Sequence, residues 1–454
     1  MINSQSVDNQ SNRVGKKFLN FFKNVDYKII PGSSMLDPSV PMTFVMSAGL
    51  AQVESSAKQS DGRKEDKYAL IQNCFRYFDM KIIGKSPIHL SYFQMPGAFS
   101  FKPLSKKDCI FQLYDLIVNK YYFSTKNLWA TYFKGDTICE HKFPADEETF
   151  KAWIEVGIPQ KHIIGLNAEH NFWKQSANSA GKKHAPKCGF QTEIFYDLGE
   201  HFKCKQNCLP GCNCGRFIEI MNTLFITFHI DEQTKYVQPL EKPFTETVIG
   251  LERVAMLQQN VSSVFEIDSL YPLIGYIHSV SQNNIFIPNS TFSMHKRIIA
   301  DHIRAILFLI SDGAPSPGKG GRARLMRQLI REALTNLKLM HINDNKRINS
   351  IIEFAIDLYC SAYPQLLKIQ NRVLDYMDEE KLRFDSTLEN GYRKINRMVT
   401  NKTDRTIAGD DMLKLEKQYG IPYSILKHQL QKKEIKYSEY SYQQSLEQWK
   451  KRNC

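Results

Sequence analysis

No apolar run in this chain is long enough to cross a bilayer. The most tempting stretch, residues 298–310, is interrupted by Asp301, His302 and Arg304. The N-terminus is polar and lacks the apolar core of a secretory signal. No internal repeat is present, which sets aside solenoid and propeller architectures. These absences predict a cytoplasmic protein with no membrane partner. They also bear on the ten cysteines. In a large chain without an export signal, disulfides are not expected, and metal ligation or reduced thiols fit better.

What is present suits a globular protein of two or three domains: 454 residues, 42% hydrophobic and 24% charged. The net charge of +13 permits a polyanionic partner without requiring one. Residues 1–15 are polar and predict disorder. Residues 18–24 have helical apolar spacing, and residues 42–46 read as a strand closed by Ser47-Ala48-Gly49-Leu50. Residues 72–76 and 89–101 predict two antiparallel strands joined by a polar loop, and residues 106–121 a helix. Residues 192–197 and 216–225 alternate as strands. Strict alternation in the latter puts Glu219 and Asn222 on opposite faces. From His295 onward the pattern is mostly helical, ending with a helix stop at Gly420 and Pro422 and a Lys/Gln/Tyr-rich tail from Lys427 that reads as peripheral.

Several stretches carry chemistry. The run P-F-T-E-T-V-I-G-L-E-R (residues 243–253) delivers an extended segment to a helix start. Gly250 there allows close backbone approach. Arg253 can face a phosphate and Glu246 a substrate amine; the plainer reading is a buried helix start with a surface ion pair. Arg76 before the loop can reach a phosphate, and Phe93 after it can stack on a flat base, unless this is only a hairpin with core aromatics. Trp173 can wall a small-molecule pocket or simply fill the core. Cys204, Cys208, Cys212 and Cys214 form C-x3-C-x3-C-x-C, enough thiols to wrap one tetrahedral zinc. The spacing departs from the common paired C-x2-C, and a reduced Gly-rich hairpin tip is the alternative. After the turn bearing Lys319, Arg322, Arg324, Arg327 and Arg331 recur at helical intervals, either a cationic face for phosphates or a solvated charged surface.

With these stretches laid out, the chain resembles the N-terminal part of alanyl-tRNA synthetases. The matching segments run colinearly from Phe18 to Pro422: F-L-N-F-F-K, M-S-A-G-L, C-F-R, H-L-S-Y-F-Q-M-P-G-A-F-S-F, N-F-W, T-E-I-F-Y-D, R-F-I-E-I-M-N-T-L-F, G-L-E-R, A-D-H-I-R-A-I-L-F-L-I-S-D-G and K-Q-Y-G-I-P. The resemblance implies an α+β fold, a class II antiparallel sheet flanked by helices and followed by an α-helical domain. It implies a catalytic domain over residues 16–260, a tRNA-recognition-like helical domain over 261–426, and a tail over 427–454. The family's editing and C-terminal domains have no counterpart in the sequence, which reads as a truncated paralogue and a monomer. Arg76 would hold the α-phosphate of ATP. Arg253 would hold the distal phosphates and lie against adenine, near Phe93, Met95 and Gly250. Trp173, Asn222, Leu224 and Glu246 would surround the amino acid. ATP and Mg²⁺ are implied as cofactors. Lys319 and the four arginines would meet tRNA.

The sequence departs from the family pattern at informative positions. Gln94 replaces a glutamate, Glu246 an aspartate, Val248 a glycine, Met221 a tryptophan and Leu224 a valine. Longer groups at Glu246 and Leu224 reshape a pocket built for a methyl side chain. The loop after Arg76 reads R-Y-F-D-M-K-I-I and is not carried over. Lys417 and Ser424 stand where the family has aspartates, and G-K-G-G-R-A-R replaces an asparagine-bearing turn. Basic replacements keep phosphate affinity while losing base discrimination. The expected function is ATP-dependent activation of a small amino acid, alanine foremost, as an adenylate, with transfer to the tRNA acceptor stem. The alternatives are the same activation with a carrier-protein, nucleoside or other metabolite acceptor, and a catalytically silent binding paralogue.

Overall fold

The computed structural model describes residues 9–36, 66–102, 104–175, 186–231, 234, 236–281, 288–400 and 405–453. The expected strand at residues 42–46 and the segment closing it lie outside these. The chain forms two compact units: Met1–Ile82 with Ser86–Tyr271, and Ile83–Lys85 with Pro272–Cys454.

The first unit is built on one largely antiparallel sheet. Its strands are β1 (Lys28–Ile29), β2 (Lys67–Phe75), β3 (Tyr92–Ser100), β4 (Leu128–Phe133), β7 (Ile163–Leu166), β8 (Phe172–Lys174), β9 (Lys187–Asp197), β10 (Phe217–Ile230) and β11 (Val237–Ile249). The short hairpin β5 (Asp136–Ile138) and β6 (His141–Phe143) lies apart. The order across the sheet is β1-β2-β3-β11-β10-β9-β4-β7, with β8 added to β9. Only β1–β2 and β4–β7 pair in parallel. The expected hairpin is present as β2 and β3, registered from Lys67 opposite Ser100 to Phe75 opposite Tyr92.

Helices cover one face of this sheet. The first, α1 (Gln10–Asn24), starts where Asn9 accepts the Asn12 N–H on its side-chain oxygen. Residues 10–15 are therefore helical where polarity predicted disorder. The reason is tertiary: Val14 is fully buried, and Ser11 hydrogen-bonds Asp268. A methyl group on Gly15 would meet Ile71 Cδ1 at 2.6 Å and Leu251 Cδ1 at 3.3 Å, so glycine lets α1 lie close to β2. The same layer holds α2 (Lys106–Tyr114), which runs on through a π-turn to Lys120, and α3 (Glu147–Glu155). Trp153 of α3 donates to Thr192 Oγ1 of β9 at 2.9 Å. The short α4 (Ala168–Asn171) precedes β8, and α5 (Leu251–Gln258) follows β11 directly.

The second unit is helical. Its helices are α6 (Tyr271–Val280), α7 (Asn289–Ser311), α8 (Gly321–Leu339), α9 (Asn345–Cys360), α10 (Gln370–Thr400), α11 (Gly409–Lys417), α12 (Tyr423–Lys432) and α13 (Glu439–Asn453). The apolar side of α7 is buried from Ile298 to Ile310, and Asp301 and His302 are buried with it as a hydrogen-bonded pair at 2.9 Å. No helix among the described residues is long and apolar enough to cross a membrane. The segment after residue 426, expected to be a peripheral tail, is packed structure. Helix α12 runs through that boundary. Tyr442 of α13 is 3% exposed and stacks on Tyr423 at 4.2 Å. A Cβ on Gly409 would lie 2.4 Å from the Ser441 backbone. Aromatic packing, invisible in a Lys/Gln-rich composition, holds this segment.

Candidate active site

The sheet face opposite the helices gathers the expected site residues, and strand register shows how. Residues directly opposite on neighbouring strands share a face. Asn222 lies opposite Glu193 on β9 and Val248 on β11; Leu224 lies opposite Gln191 and Glu246. Glu246 in turn faces Phe99, and Val248 faces Gly97 on β3. Phe93 and Met95 follow from Gly97 by twos. Trp173, opposite Gly189, packs against the buried cluster of Leu224, Ile226 and Phe244. Phe93, Met95, Trp173, Asn222, Leu224 and Glu246 thus lie on one face.

Glu219 joins them, which corrects the expectation of opposite faces. A β-bulge between Glu219 and Met221 sets Glu219 opposite Phe195 and Met221 opposite Ile194. Two residues of β10 there oppose one of β9, so the alternation slips by one. Phe195 is two residues from Glu193, so Glu219 and Asn222 share a side. The carboxyl of Glu193 is pushed up to about 8, first by burial and then by the charge of Glu219, with Gln191 and Arg253 opposing.

Both arginines lie beside this face. Arg253 lies in the first turn of α5. Its Nη1 donates to Glu219 O at 3.0 Å and Glu219 Oε2 at 3.2 Å, and its Nε donates to Ile88 O at 3.4 Å. Gly250 has φ −80°, open to any residue, so its value is space. A Cβ there would lie 3.3 Å from the Arg253 Cδ. Arg76 ends β2 and sets its guanidinium over the Phe93 ring at 4.9 Å. His89 feels both cations: its pKa is lowered by burial, Arg253 and Arg76, against the opposing charges of Asp79 and Glu219.

Two departures point away from this face. Gln94 sits between Phe93 and Met95, and its side chain donates to Asn73 Oδ1 at 3.1 Å. Its backbone N–H donates to the buried Glu252 of α5 at 3.1 Å and 3.2 Å. Met221 neighbours Asn222 on the helix side and is 2% exposed. Gln94 and Met221 therefore lie on the helix side of the sheet, whereas Leu224, Glu246 and Val248 lie on the site face.

Two side-chain oxygens near this face are buried without a hydrogen-bond partner: Asn222 Oδ1 and Asn171 Oδ1. Asn171 spends its amide donors on Thr131 Oγ1 at 2.9 Å and Gln191 O at 3.0 Å. Sequence reasoning passed over Asn171, Glu193 and His89. All three lie inside quoted motifs, but only the pairing of distant strands shows that they converge.

The four thiols Cys204, Cys208, Cys212 and Cys214 lie in the loop between β9 and β10, all within 4.8 Å of one another. Three sulfur pairs stand at 3.9, 3.4 and 3.4 Å. Tetrahedral zinc with bonds of about 2.3 Å requires edges of about 3.8 Å, so the set fits that ion. The Arg216 backbone N–H and the neighbouring thiols pull Cys214 down to about 7, while hydrogen bonding within the set pushes Cys204 up to about 12 and burial raises Cys208, so the donor geometry and not the titration supports a metal. Arg216 braces the loop with paired bonds to Asp197 at 2.6 and 2.7 Å and a third to Glu200.

In the helical unit, Lys319 and Arg324 are exposed, and Arg322 and Arg327 are half-buried. Arg331 is engaged otherwise. It bonds the fully buried Glu380 at 2.6 Å and lies over Phe384 at 5.4 Å. The cationic stripe read from spacing therefore includes one residue that serves the helix packing.

Glu193 yields a pH prediction. Its folded pKa, about 8, stands above the ordinary glutamate value of 4.5. The folded state then holds more protons than the unfolded chain between these values, and stability declines as pH rises through them. In metal-free buffer, Glu193→Gln is expected to flatten the stability profile between about pH 5 and 8. Urea midpoints across that range check it, and an unchanged slope refutes it.

A sheet of this kind, its open face lined by carboxylates and two convergent arginines, is a class II synthetase core. The chain belongs to the alanyl-tRNA synthetase family: the family model described as "tRNA synthetases class II (A)" matches residues 13–454. It is 29% identical over 442 residues to "Alanine--tRNA ligase" of Natranaerobius thermophilus, covering 96% of this chain and 48% of that one. It is 30% identical over 413 residues to the same-named protein of Dehalococcoides mccartyi, covering 91% and 45%. The chain spans about half the length of the curated relatives it matches. Apo S. aureus histidyl-tRNA synthetase aligns at TM-score 0.34 with 12% identity, over 59% of this chain and 75% of that one, too distant to bear on function.

Proposed function

We propose that the protein activates a small amino acid, alanine foremost, by attack of its carboxylate on the α-phosphate of ATP, giving an aminoacyl adenylate and pyrophosphate, and passes the aminoacyl group to tRNA in the cytoplasm as a monomer. The observation that carries this reading is that Arg253 is held against Glu219 while Arg76 lies over Phe93, with Glu219 and Phe93 on the same sheet face and the two arginines far apart in the chain. Arg76 and Arg253 grip opposite ends of the triphosphate, and the adenine lies near Phe93 and Met95. Such a step needs positioning and charge stabilisation more than covalent help. The Glu193–Glu219 pair suits Mg²⁺: two carboxylates close enough for one to hold its proton are relieved by a cation. Mg²⁺ would neutralise charge on the phosphates.

The amino-acid end is supported by two acceptors in want of donors, Asn222 Oδ1 and Asn171 Oδ1. An ammonium group brings three donors and no acceptor. Leu224 and Trp173 close the apolar side around a short side chain. The Cys204–Cys208–Cys212–Cys214 set holds a structural zinc. Lys319, Arg322, Arg324 and Arg327 supply phosphate contacts to the acceptor stem.

Amino-acid-dependent ATP–pyrophosphate exchange, run across the small amino acids, tests the reading. Exchange with alanine or another small amino acid is expected, and exchange with none defeats it. Charging of total tRNA then separates this reading from the second, a non-tRNA acceptor, which Lys417 and Ser424 in place of base-reading aspartates favour.

A further inference from the structure

Two imidazoles buried in the helical unit have hydrogen-bond partners: His295 Nδ1 lies 2.7 Å from Asn336 Oδ1, and His302 Nδ1 lies 2.9 Å from Asp301 Oδ2. Two others are set against each other instead. The rings of His341 and His428 stand 6.2 Å apart, centre to centre, at 69°. His341 is half-buried and His428 exposed, so solvent reaches both. Among the described residues neither ring hydrogen-bonds to protein, which leaves their nitrogens uncommitted.

A helix ending brings them together. Helix α8 closes in a Schellman turn: the Ile342 N–H donates to Leu337 O at 2.9 Å and the His341 N–H to Lys338 O at 3.0 Å. His341 takes the left-handed conformation at φ +60°, a place where glycine avoids crowding at Cβ. Ile342, at 1% exposure, and a bond from Arg347 Nη2 to the His341 carbonyl at 3.0 Å pin the turn. His428 sits on α12, whose Leu426 and Leu430 are fully buried. Both rings thus leave a fixed backbone. Tetrahedral zinc bonded at about 2.05 Å to two imidazoles sets the ring centres about 5 Å apart, so turning the side chains and closing by roughly 1 Å is enough. Lys432, one turn further along α12, is exposed, and its long chain can carry the ammonium away from an ion.

We propose that His341 and His428 form a second metal site, holding one divalent transition ion, zinc foremost, on two imidazole nitrogens with water completing the coordination. Imidazole is the commonest ligand of such ions and suits zinc, copper and nickel alike. The bound ion ties the turn between α8 and α9 to α12. Two ligands hold an ion far more weakly than four, so this site empties during purification while the thiol cluster stays filled. The assignment is independent of the activation reading.

The test titrates Zn²⁺ by calorimetry into the purified protein and into His341→Gly and His428→Gln. The wild type is expected to take up one ion beyond its purified content with a Kd on the order of 10 μM, and each substitution to weaken that uptake by about 10- to 100-fold. Saturating Zn²⁺ should raise the thermal midpoint of the wild type, because the site exists only in the folded state, and leave both variants unmoved. Glycine suits the left-handed position, so metal-free His341→Gly is expected to melt no lower than the wild type, and its loss of binding is not a loss of fold. Added cobalt(II) separates the two sites, because thiolate ligands give strong near-ultraviolet charge-transfer absorption and imidazole ligands do not. Wild-type affinity in either variant overturns the proposal, as does a wild type that takes up no ion beyond the cluster's, or added cobalt that shows only thiolate ligation.

Discussion

Replacing Arg253 with alanine is expected to reduce amino-acid-dependent ATP–pyrophosphate exchange by about 10²–10³-fold, to or below detection, with little change in stability. The guanidinium is held by the Glu219 carbonyl, the Glu219 carboxylate and the Ile88 carbonyl. Such anchoring orients it before any substrate arrives. Preorganised charge is what a phosphoryl displacement draws on, because nothing has to reorient as negative charge shifts toward the leaving pyrophosphate. Arg253→Lys should recover little of the loss. A lysine ammonium is a compact point charge and cannot reproduce the planar fork that bonds backbone and carboxylate together while facing phosphate. The side chain is 21% exposed, so its removal leaves no deep cavity. Exchange rates measured at saturating ATP separate a chemical defect from a binding one. Near-normal exchange in Arg253→Ala would remove the residue from the site.

Loss of the metal is the second large effect. Freshly purified protein is expected to carry about one zinc per chain, and Cys208→Ser to carry almost none. Cys208 is the buried member of the set at 4% exposure, so serine there leaves a weak ligand inside a closed cluster. Structural zinc sites bring apparent binding free energies on the order of 10–16 kcal/mol in small domains. Even a small part of that is a marked drop in thermal midpoint. Three residues after Cys214, β10 begins, and it carries Glu219, Asn222 and Leu224. Unravelling the loop should therefore lower exchange as well as stability. Cys139→Ser, outside the cluster, is the control and should leave zinc content and midpoint unchanged. Elemental analysis with thermal melts decides the matter. Metal-free protein whose stability is indifferent to Cys208→Ser would make the loop a reduced hairpin.

Much of the architecture was legible in the sequence because its signals are local. The hairpin of β2 and β3, the long amphipathic α7 and the turn from β11 into α5 each follow from the spacing of apolar residues or the placement of a glycine. Other readings failed where the deciding contact is distant along the chain. Residues 10–15 are polar enough to suggest disorder, yet helix α1 starts there because Val14 has a sheet to bury against. The last 28 residues look like a solvated tail until Tyr423 stacks on Tyr442.

The sequence by itself determined which chemical groups are present and in what order: two arginines in separate motifs, a glutamate and an asparagine on one strand, four thiols in one loop. Tertiary structure decided which of them face each other. A single bulge in β10 turned Glu219 to the side of Asn222 and Glu193. Strand register put Met221 on the helix side of the sheet, and helix packing in the second unit left Arg331 bound to Glu380. The physical reason is that side-chain type and period are properties of a few neighbouring residues, whereas register is set by hydrogen bonds between strands that only the folded chain brings together.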